Sequence, residues 1–217
     1  MFQKIQKILK TNYKWIICFI CLILFLTIAE DVFTKELIRG DAIGYELVNT
    51  YLIRDSLTPF AKIITWFGSP ICLILITILL FVLIKNKKIG LLITINLVAI
   101  TILNQLLKFI LQRPRPEEFR VINETGYSFP SGHSMISAAV YGLLIYLIYK
   151  NIKNKHTKNV LIIILSLLII MIGISRIYLG VHYTSDVLAG FLLSISYLIF
   201  YINITQKMID KNNEKEN

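Results

Sequence analysis

Charged residues are scarce in this chain, and acidic residues are the scarcer kind. Of 217 residues only 17% are charged and 56% are hydrophobic, and 23 lysines and arginines face 13 acids. Six runs are almost free of charge, and each is near the roughly 20 residues that a helix needs to cross a bilayer. They are approximately Tyr13–Phe33, Ile63–Ile84, Ile89–Leu111, Ser134–Tyr149, Val160–Leu179 and Val187–Thr205. Such runs exclude an ordinary soluble domain, whose helices carry one apolar and one polar face.

The runs predict an all-α polytopic membrane protein with six transmembrane helices. Helices are required because the hydrocarbon core offers no partners to unpaired backbone groups. No internal repeat or linker divides residues 1–217, so we expect one domain. It begins with a short basic tail, 1–12, and ends with a polar tail, 207–217, that we expect to be disordered.

Cysteine is also scarce, and its placement excludes a disulfide framework. Cys18, Cys21 and Cys72 all lie within apolar runs. The Cys18-x-x-Cys21 pair is interpreted as two small apolar residues rather than a redox or metal site. No metal and no cofactor is predicted, because the sequence has no carboxylate cluster of the kind that holds Mg²⁺.

The net charge of +10 is an orientation signal rather than a sign of nucleic-acid binding. Lysines gather in both tails, in Lys85–Lys88 and in Lys150–Lys158. If six helices alternate, these segments share one side, which the positive-inside rule makes cytoplasmic. We therefore expect a plasma-membrane protein with both termini inside, some affinity for anionic membrane lipids, and no nucleic-acid partner. Residues Glu30–Lys62 fall outside and predict one or two short amphipathic helices at the outer surface.

Three polar segments interrupt this apolar pattern, and the first follows the third run. Lys108 and Arg115 lie seven residues apart in KFILQRPRP, and Pro114 and Pro116 are expected to end the helix before Arg115. The two cations suit a phosphate. The alternative is a lysine that snorkels to the interface and arginines that meet lipid phosphates.

The second segment, Pro130-Ser131-Gly132-His133, directly precedes the fourth run. Free N–H groups at a helix N-terminus attract anions, Ser131 adds a hydroxyl, and His133 can give a proton near neutral pH. The alternative is a helix cap followed by an interfacial histidine.

The third segment, SRIYLGVHYTSD, contains Arg176, His182 and Asp186. We expect His182 and Asp186, four residues apart at the start of the sixth run, to share a helix face. A carboxylate on one imidazole nitrogen leaves the other as a nucleophile or base, and Arg176 suits phosphate oxygens. The alternative is an Arg–Asp salt bridge that stabilises a turn at Gly180.

By the same alternation, all three segments lie at the outer membrane face. Cations and helix N–H groups would bind a phosphoryl group there, a His–Asp pair would attack it, and a second histidine would protonate the leaving oxygen. No metal is needed for this chemistry, because the cations can neutralise the phosphoryl oxygens.

Together, Lys108-x6-Arg115-Pro116, Pro130-Ser131-Gly132-His133 and Ser175-Arg176-x5-His182-x3-Asp186 resemble the type 2 phosphatidic acid phosphatase (PAP2) superfamily. The resemblance implies that His182 forms a phosphohistidine, Asp186 orients it and His133 is the general acid. It also implies five phosphate-binding residues, namely Lys108, Arg115, Ser131, Gly132 and Arg176. Arg113-Pro114 is an extra Arg-Pro pair that leaves the register of the first motif ambiguous.

The resemblance implies a bacterial membrane lipid phosphatase acting on a lipid phosphate of the outer leaflet. Undecaprenyl diphosphate is the first candidate, and phosphatidylglycerol phosphate and phosphatidic acid are the alternatives. A lipid phosphotransferase and a non-enzymatic lipid-phosphate binder remain open. A bell-shaped pH profile is expected, because His182 must be neutral while His133 is protonated. The sequence makes no prediction of oligomeric state.

Overall fold

A computed structural model of the chain describes residues 2–34, 38–117 and 120–213, with side chains described between 12 and 206. Its helices, in chain order, are α1 Phe2–Phe33, α2 Arg39–Tyr51, α3 Thr58–Trp66, α4 Pro70–Leu83, α5 Lys87–Leu111, α6 Gly132–Asn151, α7 Lys155–Tyr178 and α8 Thr184–Asn213, with a 3₁₀ turn at Asp55–Leu57 before α3. No described residue lies in a strand. The all-α prediction is confirmed.

Five helices, α1, α5, α6, α7 and α8, are each long and apolar enough to cross a membrane. The remaining predicted span, Ile63–Ile84, which is the second along the chain, is broken. The segment Asp55–Trp66 and helix α4 pass the same test only together, and they meet at an angle of 47°. Pro70 opens α4 and has no N–H to continue the preceding helix, while Ser69 caps α4 by accepting a hydrogen bond from the Cys72 N–H at 3.2 Å. The continuous run Ile63–Ile84 is thus corrected to two helices.

The ends of the chain differ from the expected tails. Helix α1 begins at Phe2, so the predicted basic tail continues the first span as a helix. Helix α8 continues through Asn213, well beyond the predicted end of the sixth span, and only residues 214–217 of the predicted disordered tail lie outside the described residues.

Helix α6 is the centre of the bundle and packs against α5, α7 and α8. Small residues permit the close approach: a Cβ on Gly142 would lie 2.5 Å from Leu198 Cδ1. Polar side chains bind backbone carbonyls across the helix pairs, as Asn96 Nδ2 does to Ala139 O at 3.1 Å and Ser194 Oγ to Met135 O at 2.7 Å. In a membrane these bonds replace partners that lipid cannot supply.

The polar segments occupy one end of the bundle. The loop residues 112–117 and 120–131, turn 179–183 and helix α2 lie there, and α2 packs against α7 and α8. The lysines of Lys85–Lys88 and Lys150–Lys158 lie at the opposite ends of the same helices. Helix α2 fulfils the prediction of a short helix within Glu30–Lys62.

Candidate active site

The structure brings the three polar segments together. Arg115, in the loop after α5, places Nη1 3.1 Å from Nε2 of His182, and Nδ1 of His182 lies 3.3 Å from Oδ2 of Asp186. Helix α5 ends at Leu111, before Pro114, as expected, and Gln112 closes it in the left-handed conformation with a φ of 44°. That turn sends Arg115 back over the bundle towards His182.

The partners of His182 fix its tautomer. A guanidinium can only donate hydrogen bonds, so Nε2 beside Arg115 accepts, and the proton lies on Nδ1, which faces Asp186. Oδ2 of Asp186 also accepts from the Tyr183 N–H at 2.9 Å and from the Ser128 hydroxyl. The arrangement therefore holds the Nε2 lone pair towards the cations.

His182 is not on the helix that carries Asp186. Helix α8 begins at Thr184, and His182 lies in the turn before it, so the expectation of a shared helix face is wrong even though the two side chains meet. The turn depends on Gly180, whose φ of 68° suits glycine better than any residue with a Cβ.

Burial keeps the His182 ring neutral. Only 3% of the residue is exposed, and this burial, with Arg176 and Arg115 nearby, outweighs the opposing effect of Asp186 and lowers its pKa to about 4. At neutral pH the ring is thus unprotonated, as a nucleophile requires.

Arg176 does not form the alternative salt bridge with Asp186. Its guanidinium is 1% exposed and donates to Thr65 Oγ1 and to Glu124 Oε1, each at 2.7 Å. Burial disfavours the Glu124 carboxylate, but Arg176 and then Arg115 outweigh it and hold the pKa of that carboxyl below its usual value. Arg176 is therefore a buried cation that forms an ion pair with Glu124 of the loop.

The start of α6 separates the roles expected for its first residues. Ser131 is fully buried and caps the helix, accepting from the Ser134 N–H at 3.4 Å, so its hydroxyl lies behind the cavity wall. Gly132 and His133 line the cavity instead. A Cβ on Gly132 would lie 3.1 Å from Asn104 Oδ1, which shows how closely α6 approaches α5.

The cavity has a volume of about 810 Å³ and two chemically distinct parts. Its polar part contains Lys108, Arg115, His133 and His182. Its apolar part runs between α4 and α5 and is lined by residues such as Leu73, Ile74, Leu97, Val98 and Ile102. Arg176, Ser131 and Asp186 stand behind this wall.

Sequence reasoning missed several polar residues of the site, namely Asp41, Thr65, Glu124, Ser128 and, as a functional residue, Arg113. Ser128 and Glu124 lie in the same polar loop as the predicted residues, so their position was a signal. Thr65 and Asp41 come from distant segments, and no local pattern marks them. Arg115, rather than Arg113, contacts His182, which favours the register Lys108-x6-Arg115. Among the described residues no group of three or more His, Cys, Asp or Glu side chains could hold a metal ion.

Fold and site define a polytopic membrane protein with a buried His–Asp pair and converging cations at one end of a helical bundle. The chain belongs to the PAP2 superfamily, whose family model matches residues 89–210. It is 29% identical to an undecaprenyl-diphosphatase of Sulfolobus acidocaldarius over 91% of this chain and 94% of that protein. It is 43% identical to phosphatidylglycerophosphatase B of Bacillus subtilis over 46% of this chain, and this match spans 49% of the relative.

A solved structure supports the same fold. The crystal structure of a transmembrane PAP2-type phosphatidylglycerolphosphate phosphatase from Bacillus subtilis superposes with a TM-score of 0.77 at 27% identity. The superposition covers 88% of this chain and 96% of that one. The likeness extends over nearly the whole helical bundle.

Proposed function

We propose that this protein is a membrane lipid phosphatase that works through a phosphohistidine at His182. The observation that carries the proposal is the position of Nε2 of His182. Asp186 holds the imidazole ring through Nδ1, and Nε2 faces Arg115 at the polar end of a cavity that continues into an apolar groove. Such a cavity accommodates a phosphate and an acyl or prenyl chain of the same molecule.

The reaction divides into two displacements. Nε2 of His182 attacks phosphorus and forms a P–N bond, the bond from phosphorus to the leaving oxygen breaks, and His133 gives that oxygen a proton. A water then attacks phosphorus, His133 takes its proton, the P–N bond breaks and inorganic phosphate leaves. Lys108, Arg115 and the Gly132 amide stabilise the phosphoryl oxygens in both steps, and the charge of Arg176 acts on them from behind the cavity wall. Ser131, which caps α6, holds the Gly132 amide in place. These steps need no metal, because the cations supply the charge.

We propose undecaprenyl diphosphate as the substrate, taken from the outer leaflet of a plasma membrane in which both termini are cytoplasmic. The choice of substrate is supported by the relative from Sulfolobus acidocaldarius, which is named an undecaprenyl-diphosphatase and aligns with most of this chain. The names of the Bacillus subtilis relatives favour phosphatidylglycerol phosphate as the second candidate. The basic segments at the end of the bundle opposite the site support the orientation.

The proposal is tested by phosphate release from the purified protein in detergent and excess EDTA. We expect release from undecaprenyl diphosphate to be fastest, compared with phosphatidylglycerol phosphate and phosphatidic acid, and to survive the chelator. A long-chain lipid acceptor is included in half of the reactions, because phosphoryl transfer in place of release would identify a phosphotransferase. Binding of these lipids without release or transfer would identify a binder.

The groove between α4 and α5 is expected to set the apparent affinity for the lipid chain. Thr101 lines the cavity two helical turns from Lys108, and a Thr101→Trp substitution would fill the path of the chain. We expect KM for a long-chain substrate to rise ~10-fold, while the rate with the small substrate p-nitrophenyl phosphate stays within about twofold.

Leu106→Trp is the matched control for this substitution. Leu106 lies on the same helix, is 54% exposed and does not line the cavity. Equal losses in both variants, or an equal loss with the small substrate, would mean that the chain lies elsewhere.

A further inference from the structure

Arg113, which none of the three motifs uses, links Asp186 to helix α2. Its Nη1 donates to Oδ1 of Asp186 at 2.6 Å and to Ser185 Oγ at 2.7 Å, and its Nη2 donates to Oδ2 of Asp41 at 2.6 Å. Its guanidinium also lies 4.0 Å from the centre of the Tyr183 ring. The fork is thus fixed on both edges and on one face.

Asp41 also caps helix α8 from outside that helix. Its Oδ1 accepts from the Ser185 N–H at 2.7 Å, and its Oδ2 accepts from the Ser185 hydroxyl at 2.9 Å. A carboxylate at these free N–H groups is favoured by both hydrogen bonding and the helix dipole. The turn of α8 that carries Asp186 is therefore fixed by a side chain of α2.

The backbone of α2 is shaped for this contact. A Cβ on Gly44 would lie 2.2 Å from Thr184 Oγ1 and 2.8 Å from Thr184 Cβ, so only glycine permits α2 to approach the first residue of α8. Gly40, one turn earlier on the same helix, has nothing within 4 Å of a Cβ. Of the two glycines of α2, Gly44 is the one that lies against the catalytic turn.

The charges give the link a chemical consequence. Asp186 has no exposure to solvent, and a buried carboxylate beside a neutral imidazole needs a permanent counter-ion. Arg113 supplies it at Oδ1 and leaves Oδ2 to face His182. Asp41, 11% exposed in its side chain, in turn balances Arg113.

We propose that Asp41 and Arg113 are positioning residues, through which helix α2 sets the orientation and charge of the Asp186–His182 pair. The inference deepens the proposed function and rests on it. It makes α2, an amphipathic helix outside the transmembrane spans, a working part of the catalytic unit rather than a surface attachment.

The first test compares Arg113→Gln, Arg113→Lys and Asp41→Asn in the full-length protein, with p-nitrophenyl phosphate and the best lipid substrate. We expect Arg113→Gln to lower kcat ~10–100-fold with KM changed less than about threefold, as for other residues that orient a catalytic group. Arg113→Lys is expected to fall between wild type and Arg113→Gln, because it keeps the charge but loses the fork. Asp41→Asn is expected to lower kcat ~5–10-fold.

The pH profile separates a positioning role from a purely structural one. The charged and titratable groups around His182 are Asp186, Arg113, Asp41, Arg115, Glu124, Arg176, Lys108, His133 and Tyr183. Loss of the positive charge of Arg113 stabilises the imidazolium, so the acid limb of kcat/KM moves to higher pH in Arg113→Gln. Loss of the negative charge of Asp41 has the opposite sign, so in Asp41→Asn the limb moves to lower pH. If the two substitutions acted only by destabilising the fold, the acid limb of kcat/KM would not move in opposite directions in Arg113→Gln and Asp41→Asn.

The second test uses the two glycines and changes no charge. Gly44→Ala is expected to displace α2 from Thr184 and lower kcat ~10-fold, whereas Gly40→Ala keeps wild-type kcat and KM within about twofold. Thermal unfolding of both variants, followed in detergent, shows whether the fold is intact.

The outcomes distinguish this inference from the proposed function. Wild type and Gly40→Ala are expected to release phosphate. If Arg113→Gln and Gly44→Ala are folded and have the same kcat as these two proteins, α2 plays no role in catalysis. Parallel shifts of the acid limb in Arg113→Gln and Asp41→Asn would also overturn the inference. If wild type itself releases no phosphate, the proposed function fails first.

Discussion

Replacement of His182 by alanine is expected to abolish phosphate release, with a loss of at least ~10⁴-fold in kcat. The reason is geometric: Nε2 of His182 faces the cavity, and its other nitrogen is held by Asp186. Asp186→Asn is expected to lower kcat somewhat less than His182→Ala, because the asparagine amide can still contact the imidazole ring. It nevertheless lowers kcat, because the amide can present an N–H group where a carboxylate oxygen must accept from the imidazole N–H.

The measurement is the trapping of a phosphoenzyme. After brief exposure to a ³²P-labelled lipid substrate and quenching in alkali, wild type should carry an acid-labile phosphate that His182→Ala lacks. His156→Ala is the matched control, because this third histidine is exposed at the end of α7 that lies away from the site. A labelled His182→Ala protein, or one with residual turnover above ~1% of wild type, would exclude His182 as the nucleophile.

Replacement of His133 is expected to have the second largest effect, and the effect should depend on the leaving group. General-acid catalysis contributes ~10²–10⁴-fold when the departing oxygen is a poor leaving group. We expect His133→Ala to lose about this much with phosphatidic acid or phosphatidylglycerol phosphate, in which the leaving group is a lipid alcohol, and less with undecaprenyl diphosphate, in which the leaving group is a lipid phosphate. With p-nitrophenolate, which needs no proton to depart, formation of the phosphohistidine should lose less than ~10-fold.

The leaving-group comparison is made by single-turnover measurement of phosphoenzyme formation. This isolates the first displacement from the second, in which His133 is expected to take a proton from water. Equal losses for both leaving groups would assign His133 to phosphate binding instead of proton transfer. Rescue of the lipid reaction, but not the p-nitrophenyl reaction, by added imidazole would support the acid role.

The sequence by itself determined the helical class and the positions of five spans, because hydrocarbon admits few solutions for a backbone. It also determined four of the polar side chains that line the cavity, since chemistry-bearing side chains stand out against apolar runs. Lys108, Arg115, His133 and His182 were recognisable in this way, and the structure places all four around one cavity.

Only the tertiary structure decided the contacts that depend on distant segments. The break of the second span at Pro70 and the turn that holds His182 are, by contrast, local features, because they rest on a proline without an N–H and on a glycine with positive φ. The tertiary structure assigned Arg176 to Glu124 and Thr65, and Arg113 to Asp41 and Asp186. The choice of a partner for a buried arginine is set by which carboxylate the packing of helices brings within reach. The spacing of residues along the chain does not predict that distance, so the contacts by which helix α2 supports Asp186 could be found only in the tertiary structure.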